Sequence, residues 1–195
     1  MSKDVFFEKI RSYGPLSLEA ETAWAALLKP RSYRKDVHFI AEGEIPANFA
    51  FVVEGLFYQR YTGPDGAMVI KYFFPEYRIA ASVSATLLAA PSAFAITAIE
   101  DSSVLEYSFA AFKKLVADFP DIAAFYIRYM EQHWIVEKEP EEIAFRHDPA
   151  MKRYQEFIRK SPYLLKRLKQ HHIAAWLGVA PESLSRIRKS ITEGA

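Results

Sequence analysis

The 195-residue sequence predicts an α+β chain: an antiparallel β unit, a long helix, and a terminal helix-turn-helix. Three observations carry that prediction. The apolar period switches from helical to alternating near Val37 and returns to helical after Ser108. The turn Gly63-Pro64-Asp65-Gly66 lies between two β-branched and aromatic runs, where proline sets φ and glycine accepts a positive one. Two short helical patterns flank Gly178 in the most basic part of the chain.

Ser17, followed by Leu18, Glu19, Glu21, Trp24, Leu27 and Leu28, reads as a capped amphipathic helix stopped by Lys29 and Pro30. The runs Val37–Ala41, Phe49–Tyr61, Met68–Phe74, Phe94–Ile99 and Val104–Ser108 read as strands of one antiparallel unit. A short helix from Phe109 to Phe119 follows, then a longer one from Pro120-Asp121 to about Glu139. The longer helix carries two apolar stripes: Ile122, Phe125, Tyr129 and Val136 on one, Ile127, Met130 and Trp134 on the other. One stripe suffices for a helix wet on one side, so the second predicts contact with another copy of the chain; full burial within one domain is the alternative. Pro140 is expected to kink or end this helix. Asp148 as N-cap and Pro149 at the first helical position place a boundary between a unit of residues 1–147 and one of residues 148–195.

Composition narrows the chemistry. Hydrophobic residues make up 51% and charged residues 25%, an ordinary globular balance, and there is no cysteine. Disulfides, thiolate metal sites, cysteine nucleophiles and cysteine-ligated clusters are therefore excluded. No apolar run approaches the roughly 18 residues of a membrane span, and the sequence reads as cytoplasmic with no membrane partner. From Ala150 onward ten Lys/Arg face three acids, a net +7, against 15 basic and 21 acidic residues before it, a net −6. A basic terminal segment on an acidic body points to a polyanion; a merely solvated helical surface is the alternative.

The segment Gln170 to Lys189 supplies the means. Ile173, Ala174 and Leu177 line the inner face of one helix, Gly178 turns the chain, and Val179, Leu184 and Ile187 line a second helix opened by Ala180-Pro181. The outer face keeps Glu182, Ser183, Arg186, Lys189 and Ser190. Arg186 can grip guanine O6 and N7, and Glu182 can accept from cytosine N4. Arg188, Lys189 and Lys169 suit phosphates.

Residues 37 to 190 resemble the Crp/Fnr family of regulators. The resemblance is carried by Phe51-Val52-Val53-Glu54-Gly55-Leu56, the hairpin Gly63 to Gly66, Ala98-Ile99-Glu100-Asp101-Ser102, Ile173 to Val179 and Pro181 to Lys189. It implies an antiparallel β-roll of the cyclic-nucleotide-binding jelly-roll type, a long dimerisation helix, and a winged-helix-like helix-turn-helix whose recognition helix spans about 181–191. It implies a homodimer reading an inverted repeat in double-stranded DNA, with RNA polymerase and a small-molecule effector as further partners. The family's base-reading Glu and Arg fall on Glu182 and Arg186, and Pro181 replaces the basic residue that often precedes that Glu. With Ala195 ending the sequence, little or no wing is expected.

On the ligand side the family's Gly-Glu falls on Ala81-Ser82, and its phosphate-binding Arg on Ser92. Neither charge is present, so cyclic-nucleotide binding is not expected. Arg78, Ser82, Ser84, Thr86 and Ser92 remain the candidate effector pocket, the hydroxyls among them reading mainly as cap and turn residues.

The five histidines show no metal spacing, and adjacent His171 and His172 cannot share a helix face; they read as a helix start whose imidazoles meet solvent or phosphate. With no phosphate loop or nucleophile elbow, no enzyme, catalytic residue, metal or cofactor is expected. The competing reading is an effector-binding or interaction module whose helix-turn-helix has lost DNA binding.

Overall fold

A computed structural model describes residues 3–193. Helices α1 (Lys3–Arg11) and α2 (Leu18–Leu27) precede strands β1 (Lys29–Tyr33), β2 (His38–Ile40), β3 (Asn48–Glu54), β4 (Phe57–Thr62), β5 (Met68–Phe74) and β6 (Ile79–Ala80). Helix α3 (Val83–Leu88) and strands β7 (Ala95–Ala98) and β8 (Ser102–Ser108) complete the β unit. Two antiparallel four-stranded sheets result, ordered β1-β8-β3-β6 and β2-β7-β4-β5.

The expected strand Phe49–Tyr61 is two strands, because Gly55 breaks it at φ +104°. A Cβ at Gly55 would sit 2.1 Å from Ser102 Oγ, so only glycine fits the bend that carries the chain from one sheet to the other. The Gly63–Gly66 hairpin forms as read, with Gly66 N–H donating to Gly63 O at 2.9 Å and β4 and β5 paired from Phe57↔Phe74 to Thr62↔Met68. Ser17 caps α2 through a 3.3 Å bond from Ala20 N–H, but Pro30 does not end the regular structure. It lies inside β1, an edge strand where its missing N–H is tolerated.

Two cores fill this unit. Between the sheets lie Ile40, Val52, Phe57, Phe74, Ile96 and Val104. Outside the first sheet an aromatic cluster surrounds fully buried Trp24, with Phe6 of α1 at 5.1 Å and Phe112 and Phe125 at 4.8 and 5.2 Å.

After α4 (Phe109–Asp118), helix α5 (Pro120–Met130) passes through a π-helical segment, Glu131–Val136, into α6 (Lys138–His147). The expected stop near Pro140 is overturned. Glu137 N–H reaches back to Gln132 O at 3.0 Å, and the helical register restarts there. Pro140 thus falls in the first turn of α6, where a missing N–H costs little. The wide turn also redistributes the stripes. Ile122, Phe125 and Tyr129 are buried, but His133 takes the inward place expected of Val136, which is exposed. Met130 and Trp134 are half-buried toward the β unit, leaving Ile127, Ile135, Val136 and Ile143 as an exposed apolar row.

Asp148 is extended, pairs with Lys152 at 2.9 Å and closes α6 rather than capping the next helix, whose N-cap is Pro149, so α7 (Ala150–Lys160) starts one residue later than expected. Helices α8 (Pro162–Leu165), α9 (Gln170–Leu177) and α10 (Pro181–Glu193) follow. A third core joins them to the second sheet: Leu56, Ile70, Phe73 and Ile99 pack with Tyr154, Phe157, Leu164, Leu168, Ile173 and Leu184. Any wing would follow α10, where Gly194 and Ala195 lie outside the described residues. Among the described residues no helix is long and apolar enough to cross a membrane.

Candidate nucleic-acid interface

Helices α9 and α10 have the bounds the sequence gives them to within a residue at their starts. Gly178 takes the left-handed conformation at φ +67°, and Val179 N–H closes the turn on Ala174 O at 3.0 Å. Leu177 and Leu184 are fully buried where the helices cross, and Ala174 keeps that crossing close. The Ala180 carbonyl accepts from Ser183 and Leu184 at 3.0 and 3.1 Å, which starts α10 with Pro181 in its first turn.

Glu182, Arg186, Arg188, Lys189 and Ser190 are all exposed on α10, and Lys169 is exposed at the start of α9. Glu182 and Arg186 are one turn apart on the open side, and Ser183 Oγ accepts from Arg186 Nη2 at 3.1 Å. Ser190 is drawn back onto its own helix, its hydroxyl donating to Arg186 O at 3.1 Å. Lys189 faces Glu193 at 3.6 Å, an exposed pair too weak to compete with a phosphate. Arg153 fixes this unit from behind, donating to Leu177 O at 2.6 Å and to Phe145 O and Asp148 O at 3.2 Å. It ties the end of α6 to the turn between α9 and α10.

One expectation at the start of α9 is overturned. His171 is exposed, but His172 is buried against Tyr58 of β4, ring centroids 5.3 Å apart, with Nδ1 unpartnered. The reason is that α9 packs on β5 as well as on α10. Burial, then the neighbouring His171 and Lys169, push the His172 imidazole down to about 4.

A second group fixes the C-terminal helices to the β unit. Arg167 donates to both oxygens of Glu76 at 2.9 and 2.8 Å and to Glu100. Glu76 in turn accepts Gly55 N–H at 2.9 Å. Sequence reasoning missed this trio, whose members lie 91 and 67 residues from Arg167 and share no local pattern.

The candidate effector residues divide. Ser82 and Ser92, the two positions that the resemblance pairs, do meet: their hydroxyls are 2.8 Å apart and buried. Ser92 also donates to Phe94 O at 2.7 Å, and Thr86 donates to Ser82 O at 3.0 Å, so the hydroxyls satisfy one another and the backbone. Ser84 points outward on α3. Arg78 belongs elsewhere, held by Glu137 at 2.5 Å and by Tyr72 and His133. Tyr13 bonds the same histidine at 2.6 Å. Burial alone would raise the Glu137 carboxyl, but hydrogen bonds from His133 and Arg78 bring it down to about 2. Next to this network, between β4, β5 and the π segment, Gln59, Lys71, Tyr72, Arg78, His133 and Trp134 line a small cavity. Among the described residues the serine pair bonds to no guanidinium. Calorimetry with cyclic AMP and with cyclic GMP is therefore expected to show no micromolar binding, and neither should raise the melting temperature; saturable stabilisation by either would overturn this.

No protein-family model and no curated protein matches the chain. Solved structures do. FixK2 from Bradyrhizobium japonicum is similar at 21% identity and a TM-score of 0.68, over 86% of either chain. CLP from Xanthomonas campestris, described as a c-di-GMP-responsive global regulator, is similar at 12% identity and a TM-score of 0.71, over 91% of this chain and 93% of that one. The catabolite activator protein of Thermus thermophilus is similar at 16% identity and a TM-score of 0.57, over 95% of this chain and 87% of that one.

Proposed function

We propose that this chain, whose fold is that of the Crp/Fnr regulators, is a homodimeric, cytoplasmic transcription regulator that reads an inverted repeat in double-stranded DNA through α10. One observation carries the reading. Glu182 and Arg186 are exposed in the first two turns of a helix whose opposite side is held by Leu184, within a segment of net +7. Groups placed so can meet base edges while the cations around them meet phosphate. Ile127, Ile135, Val136 and Ile143 form the exposed row suited to a second copy, which would set two α10 helices about 34 Å apart. The sensor part, lacking the cyclic-nucleotide charges at Ser82 and Ser92, answers a different effector.

Selection from random duplexes is expected to return an inverted repeat. Arg186→Ala should cost about 1–3 kcal/mol on it and relax preference at one base pair per half-site. Lys189→Ala should weaken all sequences alike and lower the salt slope by about one. A wild type with no preferred site, or an Arg186→Ala variant with affinity and preference intact, would remove α10 from the role.

A further inference from the structure

We infer that the cavity between β4, β5 and the π segment is an effector site for a small hydroxycarboxylate, whose carboxylate meets Lys71 and Lys138 and whose hydroxyl meets Gln59. This rests on the regulator reading above and deepens it by naming the chemical class of the effector, although binding of the acid itself needs no DNA. The site is separate from the Ser82–Ser92 pair, neither of which lines the cavity.

Gln59 marks the inner end of the site. It lies in the middle of β4, in register with Tyr72 of β5 on one side and Ile96 of β7 on the other, and is 2% exposed. Two residues earlier on the same strand face, Phe57 belongs to the core between the sheets, so packing alone would place an apolar residue at position 59. Instead an amide lines the cavity, and its Oε1 has no hydrogen-bond partner among the described residues. A buried amide oxygen left so forfeits the bond it has to water in the unfolded chain, and the neighbouring Phe74 and Ile79 side chains offer no replacement.

The mouth of the cavity supplies charge. Lys71 is exposed there, its ammonium 4.8 Å from the Phe94 ring centroid and 5.8 Å from that of Trp134, with no carboxylate partner among the described residues. Lys138 reaches the same cavity from α6, its ammonium 4.3 Å from the Tyr72 centroid. Shielding of the Lys71 tip among the rings, then the nearby Lys138, holds that ammonium below its ordinary range. Glu141 pairs with Lys138 at 2.7 Å and Glu137 is held by Arg78 and His133, so the local excess of positive charge rests on Lys71. An unmatched surface lysine is ordinary. Here it shares one cavity with a like charge and with an unsatisfied buried amide.

These groups define the ligand. An anion between Lys71 and Lys138 relieves their repulsion, and a carboxylate accepts from both through charge-assisted bonds. The group that meets Gln59 is neutral, since a second ammonium would face Lys71, Lys138 and Arg78. A hydroxyl is both donor and acceptor and meets the amide in either orientation. The cavity is small, which restricts the carbon frame to a few atoms against Tyr72 and Trp134. Its walls come from β4 and β5 on one side and from the π segment and α6 on the other, so an occupant ties the β unit to the helices that carry the exposed apolar row.

The test titrates the full chain by calorimetry with glycolate and lactate, using acetate as the acid without a hydroxyl and ethylene glycol as the hydroxyl without a charge. A hydroxy acid should saturate the wild type at about 1 mM or below, and ethylene glycol should not bind. Acetate should bind about tenfold more weakly, having nothing to offer Gln59. Gln59→Leu should bring the hydroxy acids down to the affinity of acetate, and Lys71→Met should weaken every acid about tenfold or more. Emission from Trp134 should change on saturation, and Trp134→Phe should lack that change. No saturable heat from either hydroxy acid, acetate binding as tightly as glycolate, or affinities untouched by both Gln59→Leu and Lys71→Met would overturn the inference. Each of these outcomes leaves the reading by α10 to be judged on duplex DNA alone, and a hydroxy acid that binds while no duplex does would keep the site and remove that reading.

Discussion

Leu184→Asp is expected to abolish DNA binding while leaving the mass of the dimer unchanged. Leu184 is fully buried between α9 and α10, in the core that also holds Ile173 and Leu177. Truncation to alanine alone would cost about 2–5 kcal/mol through lost burial and the cavity left behind. Aspartate adds a carboxylate with no donor to meet it, so it must either protonate or force the helices apart, at several kcal/mol more. Neither penalty reaches the exposed row on α5, the π segment and α6, none of whose members belongs to the Leu184 core. Light scattering should therefore report two copies for wild type and variant alike, and gel shifts should show binding for the wild type only. A variant that still binds the selected site, or a wild type that is monomeric at micromolar concentration, would contradict this division of labour.

Helices α9 and α10 were legible in the sequence because their signals are local. Gly178 needs a left-handed φ, Pro181 suits a first-turn position, and Ile173 with Leu177, then Leu184 with Ile187, recur at helical spacing. The β unit was legible for the same reason at Gly63–Gly66. What escaped was non-local or contrary to propensity. Pro30 argues against a strand, yet β1 forms because its partner β8 supplies the ladder on one side only. The N-terminal Phe6, Phe7 and Ile10 recur at helical spacing, but their role as the far wall of the Trp24 cluster depends on α4 and α5, about a hundred residues away. The π segment has no sequence signature; it is fixed by the contacts of His133 and Glu137 with Arg78 and Tyr13. At the candidate site the exposed contacts on α10 followed from periodicity. The burial of His172 did not, since a pattern showing one apolar face cannot reveal that β5 also packs on the helix.

That second contact makes the seat of the C-terminal helices on the β unit labile to acid. His172 titrates near 4 in the folded chain against 6.5 for a free histidine, so between those values the unfolded or undocked state binds more protons. Stability is then fully present above pH 6.5 and is lost as pH falls through 6.5 toward 4, by roughly 2–3 kcal/mol. His171, Lys169 and Lys35 oppose the imidazolium, and Asp36 favours it. Glu76 acts in the same direction: burial would raise its carboxyl, but the bonds from Arg167 and Gly55 hold it below the usual range, so its contribution is also lost in acid. Hydrogen exchange of the α9 amides should accordingly quicken across this window before exchange in the Trp24 core does. His172→Phe, which keeps the contact with Tyr58 and removes the titration, should flatten the response between pH 6.5 and 4. Arg167→Met should quicken α9 exchange even at neutral pH, by about 1–3 kcal/mol, because Glu76 and Glu100 would then face each other without a shared cation. Adding Glu76→Gln and Glu100→Gln to Arg167→Met should recover part of that loss. Exchange that is independent of pH in the wild type, or an acid response that persists undiminished in His172→Phe, would show that the docked face is held by something other than these groups.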